Sequence, residues 1–231
     1  MDYRDRHVVV TGGTGALGGA VVGALVAAGA VCHVPYLVAA EAEHFPLRDH
    51  AQVKLTGGID LTDEAAVARL YAGAGSLWAS IHLAGGFAMS AVGATTKAAL
   101  MMQVDLNLVT AFLSCRAAVN AMAGTGGRIV NVAARPALEW RTGAGMAAYA
   151  ASKAAVAALT VALAEEVVKA GILVNAVAPS IMDTPANRAA MPQADYAAWP
   201  KVDEVAATIL FLASPENKVT RGSIVTVYGR S

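Results

Sequence analysis

Short apolar runs rich in Val, Ile and Leu alternate along this chain with longer Ala-rich stretches whose apolar spacing suits helices. Residues 8–10, 31–36, 53–55, 80–83, 128–132, 172–177 and 223–228 read as strands, each near Gly, Pro, Asn or Asp turn signals. Residues 16–28, 98–122, 145–170 and 202–213 read as helices, the second and third long and unbroken. A further helix is expected to start at Thr62, a capping residue with Asp63 and Glu64 behind it at the positive end of the dipole. Strand–helix alternation of this kind predicts βαβ units. The expected fold class is therefore α/β, a Rossmann-type doubly wound parallel sheet with helices on both faces. No repeat or linker interrupts the pattern, so residues 1–231 are expected to form one dinucleotide-binding domain.

Composition sharpens this picture. Of the 231 residues, 56% are hydrophobic and 15% charged, with a formal net charge of zero. Such a surface gives no footing for nucleic acid, and its low charge suits burial against further subunits. Cys32 and Cys115 have no metal-like spacing and read as buried free thiols; no metal site is expected. No run of about 18 residues lacks charge, glycine and turn signals, so no membrane span is expected. The first residues, Met-Asp-Tyr-Arg-Asp-Arg-His, lack the order of a leader peptide, and a cytoplasmic location is expected.

The chemistry begins at Thr11-Gly12-Gly13-Thr14-Gly15-Ala16-Leu17-Gly18, which joins the first strand to the first helix. Glycines there permit a sharp turn and let a pyrophosphate approach backbone N–H groups at the helix terminus. Gly12, Thr14, Gly15, Ala16, Leu17 and Gly18 are the resulting candidates, and the cofactor is NAD or NADP. The choice between the two rests on the end of the second strand, where an acid meets a ribose 2′-hydroxyl or a base meets a 2′-phosphate. Tyr36 stands there, neither acid nor base, and no Lys or Arg occurs before Arg48. The preference stays open.

Further along, Tyr149-Ala150-Ala151-Ser152-Lys153 sets a phenol and an amine at i and i+4, on one face of the third long helix. An ammonium beside a phenol favours phenolate and is expected to draw the tyrosine's pKa down from about 10. Such a tyrosine can exchange a proton with substrate while a nicotinamide exchanges hydride.

With these motifs in order, the chain resembles the short-chain dehydrogenase/reductase family over almost all its length. That family usually reads Thr-Gly-x-x-x-Gly-x-Gly; here Ala16 replaces the middle glycine and Gly15 comes one place earlier, an exchange expected to be tolerated. The resemblance implies that Asp60 holds the adenine edge, that Ala84 and Gly85 match the end of the family's Asn-Asn-Ala-Gly, and that His82 and Leu83 replace its asparagines, His82 in a structural role. It implies cofactor contacts from Pro179, Ile181 and Thr184, and a water-holding proton relay through Asn107. It also implies a homodimer or homotetramer, with the two long helices as interfaces.

One departure bears on substrate. Family members usually end the fifth strand with a serine that donates to the reacting oxygen; Asn131-Val132-Ala133-Ala134-Arg135 puts Ala134 there. Losing such a donor typically costs about 2.7–4 kcal/mol in the barrier. Either Thr142, Arg135 or a water replaces it, or the substrate is already electrophilic. Residues 133–138 with Gly145-Met146 and Tyr149, and Asp183-Thr184-Pro185-Ala186-Asn187-Arg188 through Trp199, are similar to dihydropteridine reductase, which also lacks the serine and reduces a quinonoid ring. Gly85-Gly86-Phe87 parallels its Gly-Gly-Trp. Phe87, Ala134 and Trp140 are the substrate-side candidates. The expectation is an NAD(P)H-dependent reductase of a small conjugated, quinonoid or imine-like molecule, with Tyr149, Lys153 and Asn107 as its catalytic residues. The alternatives are an ordinary ketone or alcohol oxidoreductase and a nucleotide-binding protein without turnover.

Overall fold

The computed structural model describes all 231 residues. The strands are β1 (His7–Thr11), β2 (Val31–Pro35), β3 (Val53–Thr56), β4 (Leu77–His82), β5 (Gly127–Val132), β6 (Ile172–Pro179) and β7 (Ile224–Val227). They pair in parallel throughout, in the order β3-β2-β1-β4-β5-β6-β7. Among them run α1 (Ala16–Ala27), α2 (Ala39–Glu43), α3 (Glu64–Ala72), α4 (Lys97–Val104), α5 (Thr110–Ala121), α6 (Arg135–Leu138), α7 (Ala147–Glu166), α8 (Pro185–Ala190) and α9 (Val202–Ala213). This is the doubly wound fold the alternation predicts.

A parallel sheet covered on both faces needs strands that are apolar on both sides, and Val8, Val9 and Val10 are fully buried. Val8 and Val10 join α1 and α9 in one core, while Val9 faces α3, α5 and α7 in the other. Each such side chain contributes roughly 1.5–3 kcal/mol on leaving water. Strand order reverses between β1 and β4, and a crevice opens at the carboxyl ends of strands at such a switch point. Thr11 and His82 mark those ends.

Several local expectations are corrected. The helix expected from Thr62 is capped by Asp63, whose carboxylate accepts from the N–H groups of Ala65 and Ala66. Thr62 instead gives its N–H and hydroxyl to Asp60. The helix expected unbroken over 98–122 is divided by a wide π turn at Asp105–Val109. The next runs over Ala147–Glu166 rather than 145–170 and ends in a separate 3₁₀ turn, Val168–Ala170. Segments 97–121 and 147–166 are long and apolar enough to cross a membrane by length and composition, which the sequence reading did not expect. Arg116 and the buried Lys153 interrupt them, and their packed faces lie on the sheet.

Candidate active site

The first wall of the crevice is the β1–α1 loop. Gly12 has φ +68°, and a Cβ there would sit 2.6 Å from the Ala84 nitrogen. At Gly18 it would meet the Gly12 carbonyl oxygen at 2.1 Å. These two glycines let the loop, the start of α1 and the end of β4 close on one another. Gly13, which the sequence reading passed over, is as constrained: its Cβ would press on Val34 at 2.8 Å.

Gly15 differs. Only the Gly12 oxygen, at 3.5 Å, would touch its Cβ, so its outer face is open. It precedes α1 without side-chain capping, and no acid lies in the first turn. The N–H groups that begin the helix thus face outward at the positive end of its dipole, which fits a pyrophosphate. Ala16 is exposed, so its extra methyl meets no obstacle, while Leu17 turns its side chain into the core and Thr14 is half-buried. A dinucleotide fits this cradle.

Tyr36 follows β2 with its N–H on the Thr56 carbonyl and its own carbonyl on the Ile59 N–H. The Asp60 carboxylate beside it is held by Thr62, whose bonds keep it below the usual carboxylate range. On the far side, Pro179 ends β6, Ile181 is exposed, and the buried Thr184 caps α8 by accepting from the Asn187 N–H. The candidates from Gly12 to Thr184 thus lie on the loops beyond the carboxyl ends of the strands.

At the centre, α7 turns Ser152, Lys153, Val156 and Thr160 inward. Lys153 Nζ donates to the Val132 carbonyl at 2.8 Å, one residue beyond Asn131 on β5. Burial lowers its pKa to about 8. Asn107, in the π turn, is fully engaged: its Oδ1 accepts from the Gly86 N–H, and its Nδ2 donates to the Gly86 carbonyl and to Ser152 Oγ. A wider turn re-aims side chains locally, and here it ties the loop after β4 to α7. Gly85 completes the junction. A Cβ there would lie 2.6 Å from Asn107 Oδ1 and 3.3 Å from Lys153 Nζ.

Tyr149 does not show the lowered pKa expected from the sequence. Burial alone pushes its phenol up to about 12, with no opposing effect from Lys153. Phe87 is the aromatic ring that meets Tyr149. Trp140 is 78% exposed, its indole N–H donating to the Ala137 carbonyl. Ala134 is buried before α6 and offers no hydroxyl. Of the side-chain substitutes, Thr142 Oγ1 gives its one proton to the Glu139 carbonyl, and Arg135 is held through Nε on Glu139 with its guanidinium over the Tyr228 ring.

Beneath the site, a buried polar chain was invisible in the sequence. Tyr71 and Ser80 bond to each other and to His82 Nε2, and His82 Nδ1 to Asn131 Oδ1 at 2.7 Å. Asn131 Nδ2 donates on to Thr160 Oγ1, which donates to the Val156 carbonyl. The acceptor role of Asn131 Oδ1 puts the imidazole proton on Nδ1. His82 therefore has the structural position expected of it, and Cys115, a buried free thiol like Cys32, lies against it.

Comparison with known proteins agrees with this geometry. Residues 6–195 match the family described as short chain dehydrogenase. Galactitol 2-dehydrogenase of Rhizobium johnstonii is 35% identical, over 98% of this chain and 97% of that protein. A hydroxy(phenyl)methylsuccinyl-CoA dehydrogenase subunit of Thauera aromatica is also 35% identical, over 54% of this chain; the match spans about half that relative's length, 53%. Among solved structures, a blue fluorescent protein from a metagenomic library, in complex with NADPH, superimposes with a TM-score of 0.88. It is 26% identical, covering 99% of this chain and 98% of that one.

Proposed function

The chain belongs to the short-chain dehydrogenase family, and from that premise we propose that it is an NAD(P)H-dependent reductase of a small conjugated, quinonoid or imine-like molecule, a dihydropteridine among the candidates. The observation that carries the substrate class is the environment of Ala134. It has no hydroxyl, the Thr142 hydroxyl already gives its proton to the Glu139 carbonyl, and Arg135 is held on Glu139 through Nε and lies over Tyr228. A ketone whose oxygen must take on charge needs a donor there. A quinonoid ring regains conjugation when it accepts hydride and makes a smaller demand.

The β1–α1 loop would hold the pyrophosphate and Lys153 the nicotinamide ribose; when bound, the dinucleotide supplies hydride. Tyr149, protonated at neutral pH with a pKa of about 12, donates its hydroxyl proton to the heteroatom of the substrate that gains the electron pair. Lys153, held by Val132, supports the phenolate left behind, and Asn107 fixes the loop and helix that carry these groups. The exposed faces of Met101, Met102, Leu106, Phe112 and Val161 support assembly as a homodimer or homotetramer through the helices on either side of the site; light scattering of a monomer at micromolar concentration would reject that assembly.

The activity is tested by following NADH and NADPH oxidation, by absorbance, against quinonoid dihydropterin, quinones and ketones. Faster turnover of the quinonoid acceptors is expected. A second reading, a ketone or alcohol oxidoreductase, is favoured by the resemblance to galactitol 2-dehydrogenase along nearly the whole chain; it requires ketones to be the better acceptors. Tight dinucleotide binding without turnover of any acceptor would instead indicate a non-catalytic nucleotide-binding protein.

A further inference from the structure

We infer that Glu41 makes this chain select NAD(H) over NADP(H), an inference that rests on the dinucleotide reading above. In a fold of this kind the adenosine ribose lies just beyond the second strand. The residues there, Tyr36, Leu37 and Val38, carry no charge. The charge arrives by folding: α2 turns back so that Glu41 Oε2 accepts from the Leu37 N–H at 3.2 Å. A carboxylate therefore stands at the first residue past Tyr36, although it is four positions further along the chain.

No cation stands against that negative charge, which lies in the first turn of α2. Glu41 has no ion-pair partner. Arg48 is bonded to the Asp49 carboxylate and the Glu43 carbonyl. Lys54 Nζ donates to the Ala51 carbonyl, at the opposite end of β3. Asp60 adds a second carboxylate at the same corner, through the Ile59-to-Tyr36 backbone bond. The Tyr36 ring is turned against Gly57, where a Cβ would lie 2.6 Å from its hydroxyl, so it does not screen Leu37. A ribose 2′-hydroxyl can donate to a carboxylate in this position. A 2′-phosphate would bring like charge to it, find no cation, and meet a Leu37 N–H whose bond is already made.

The test is calorimetric titration of the whole protein with NADH and with NADPH, in low and high salt. NADH is expected to bind at least tenfold tighter at low salt, with the ratio shrinking as salt screens the exposed carboxylate. Glu41→Gln keeps an acceptor for the Leu37 N–H and removes only the charge. It is expected to tighten NADPH binding at least threefold and to change NADH binding less. Glu43→Gln, two residues on in α2 and unbonded to Leu37, is expected to leave the ratio unchanged. Equal or tighter NADPH binding by the wild type, or an unaltered ratio in Glu41→Gln, would overturn the assignment. Binding of neither dinucleotide would overturn the oxidoreductase reading, and this inference with it.

Discussion

Phe87 meets the Tyr149 ring edge to face, centroids 4.9 Å apart and planes at 87°. Phe87 is itself 60% exposed, so the pair forms a lid of one ring over the other rather than a piece of core. It orients the phenol and keeps water from one side of it, which is consistent with burial as the cause of the raised pKa.

Phe87→Ala should therefore disturb chemistry more than folding. An edge-to-face pair contributes about 0.5–1.5 kcal/mol beyond its area, a loss of up to about tenfold in kcat/KM with little change in Tm. Ultraviolet titration of the phenol should show the Tyr149 pKa falling from about 12 towards its usual value. An unchanged titration would mean that other neighbours bury the hydroxyl.

Lys153 is expected to set the alkaline limit of the proposed reduction. Its pKa is lowered to about 8 by burial, whereas the phenol stays protonated to about 12. Below pH 8 both groups carry their protons; above it the ammonium is lost first. The kcat/KM for reduction, which reports groups of the free enzyme, should be flat below pH 8 and fall about tenfold per unit above it. Lys153→Arg, charged throughout, should remove that limb; persistence of the limb in the variant would assign it elsewhere.

Gly85→Ala tests the junction of loop, π turn and helix. The added methyl would lie 2.6 Å from Asn107 Oδ1 and 3.3 Å from Lys153 Nζ. Overpacking of this kind costs about 1–3 kcal/mol, and here it is also expected to displace Asn107 and Lys153. Both Tm and kcat should fall, kcat by at least tenfold. Normal activity would show that Asn107 can move aside without consequence.

These positions show what the sequence does and does not disclose. The strands, Gly12, Gly18 and the shared face of Tyr149 and Lys153 are legible because local periodicity and backbone sterics dictate them. The π turn is not, since one widened turn hardly disturbs the apolar spacing over 98–122. Thr62 and Asp63 are both good caps; Thr62 turns back to Asp60, two residues before it, while Asp63 accepts from the helix N–H groups. The partner of Lys153 and two of the three bonds of Asn107 are backbone groups of Val132 and Gly86, which any residue type supplies. Glu41 reads as a surface acid until the chain reverses over α2. The chain from Tyr71 to Thr160 joins side chains from separate elements, a relationship of topology and not of spacing.

The buried histidines predict acid sensitivity. Burial, then the neighbouring His7 and Lys54, lowers the pKa of His33 to about 4; its Nε2 lies 2.9 Å from His7 Nδ1. Burial lowers His82 to about 4 as well, against the opposing effect of its bond to Asn131. The unfolded chain protonates both near pH 6.5, so between pH 6.5 and 4 it binds protons that the native state refuses. Stability should then fall as pH falls through that window, by about 1.4 kcal/mol per pH unit for each group. Urea unfolding at a series of pH values measures the slope. His33→Gln keeps a polar group facing His7 and should lower the slope by one proton's worth, while leaving the His82 contribution in place. An identical slope in wild type and variant would mean that His33 takes up its proton in the native state, and that the His7 contact tolerates the charge.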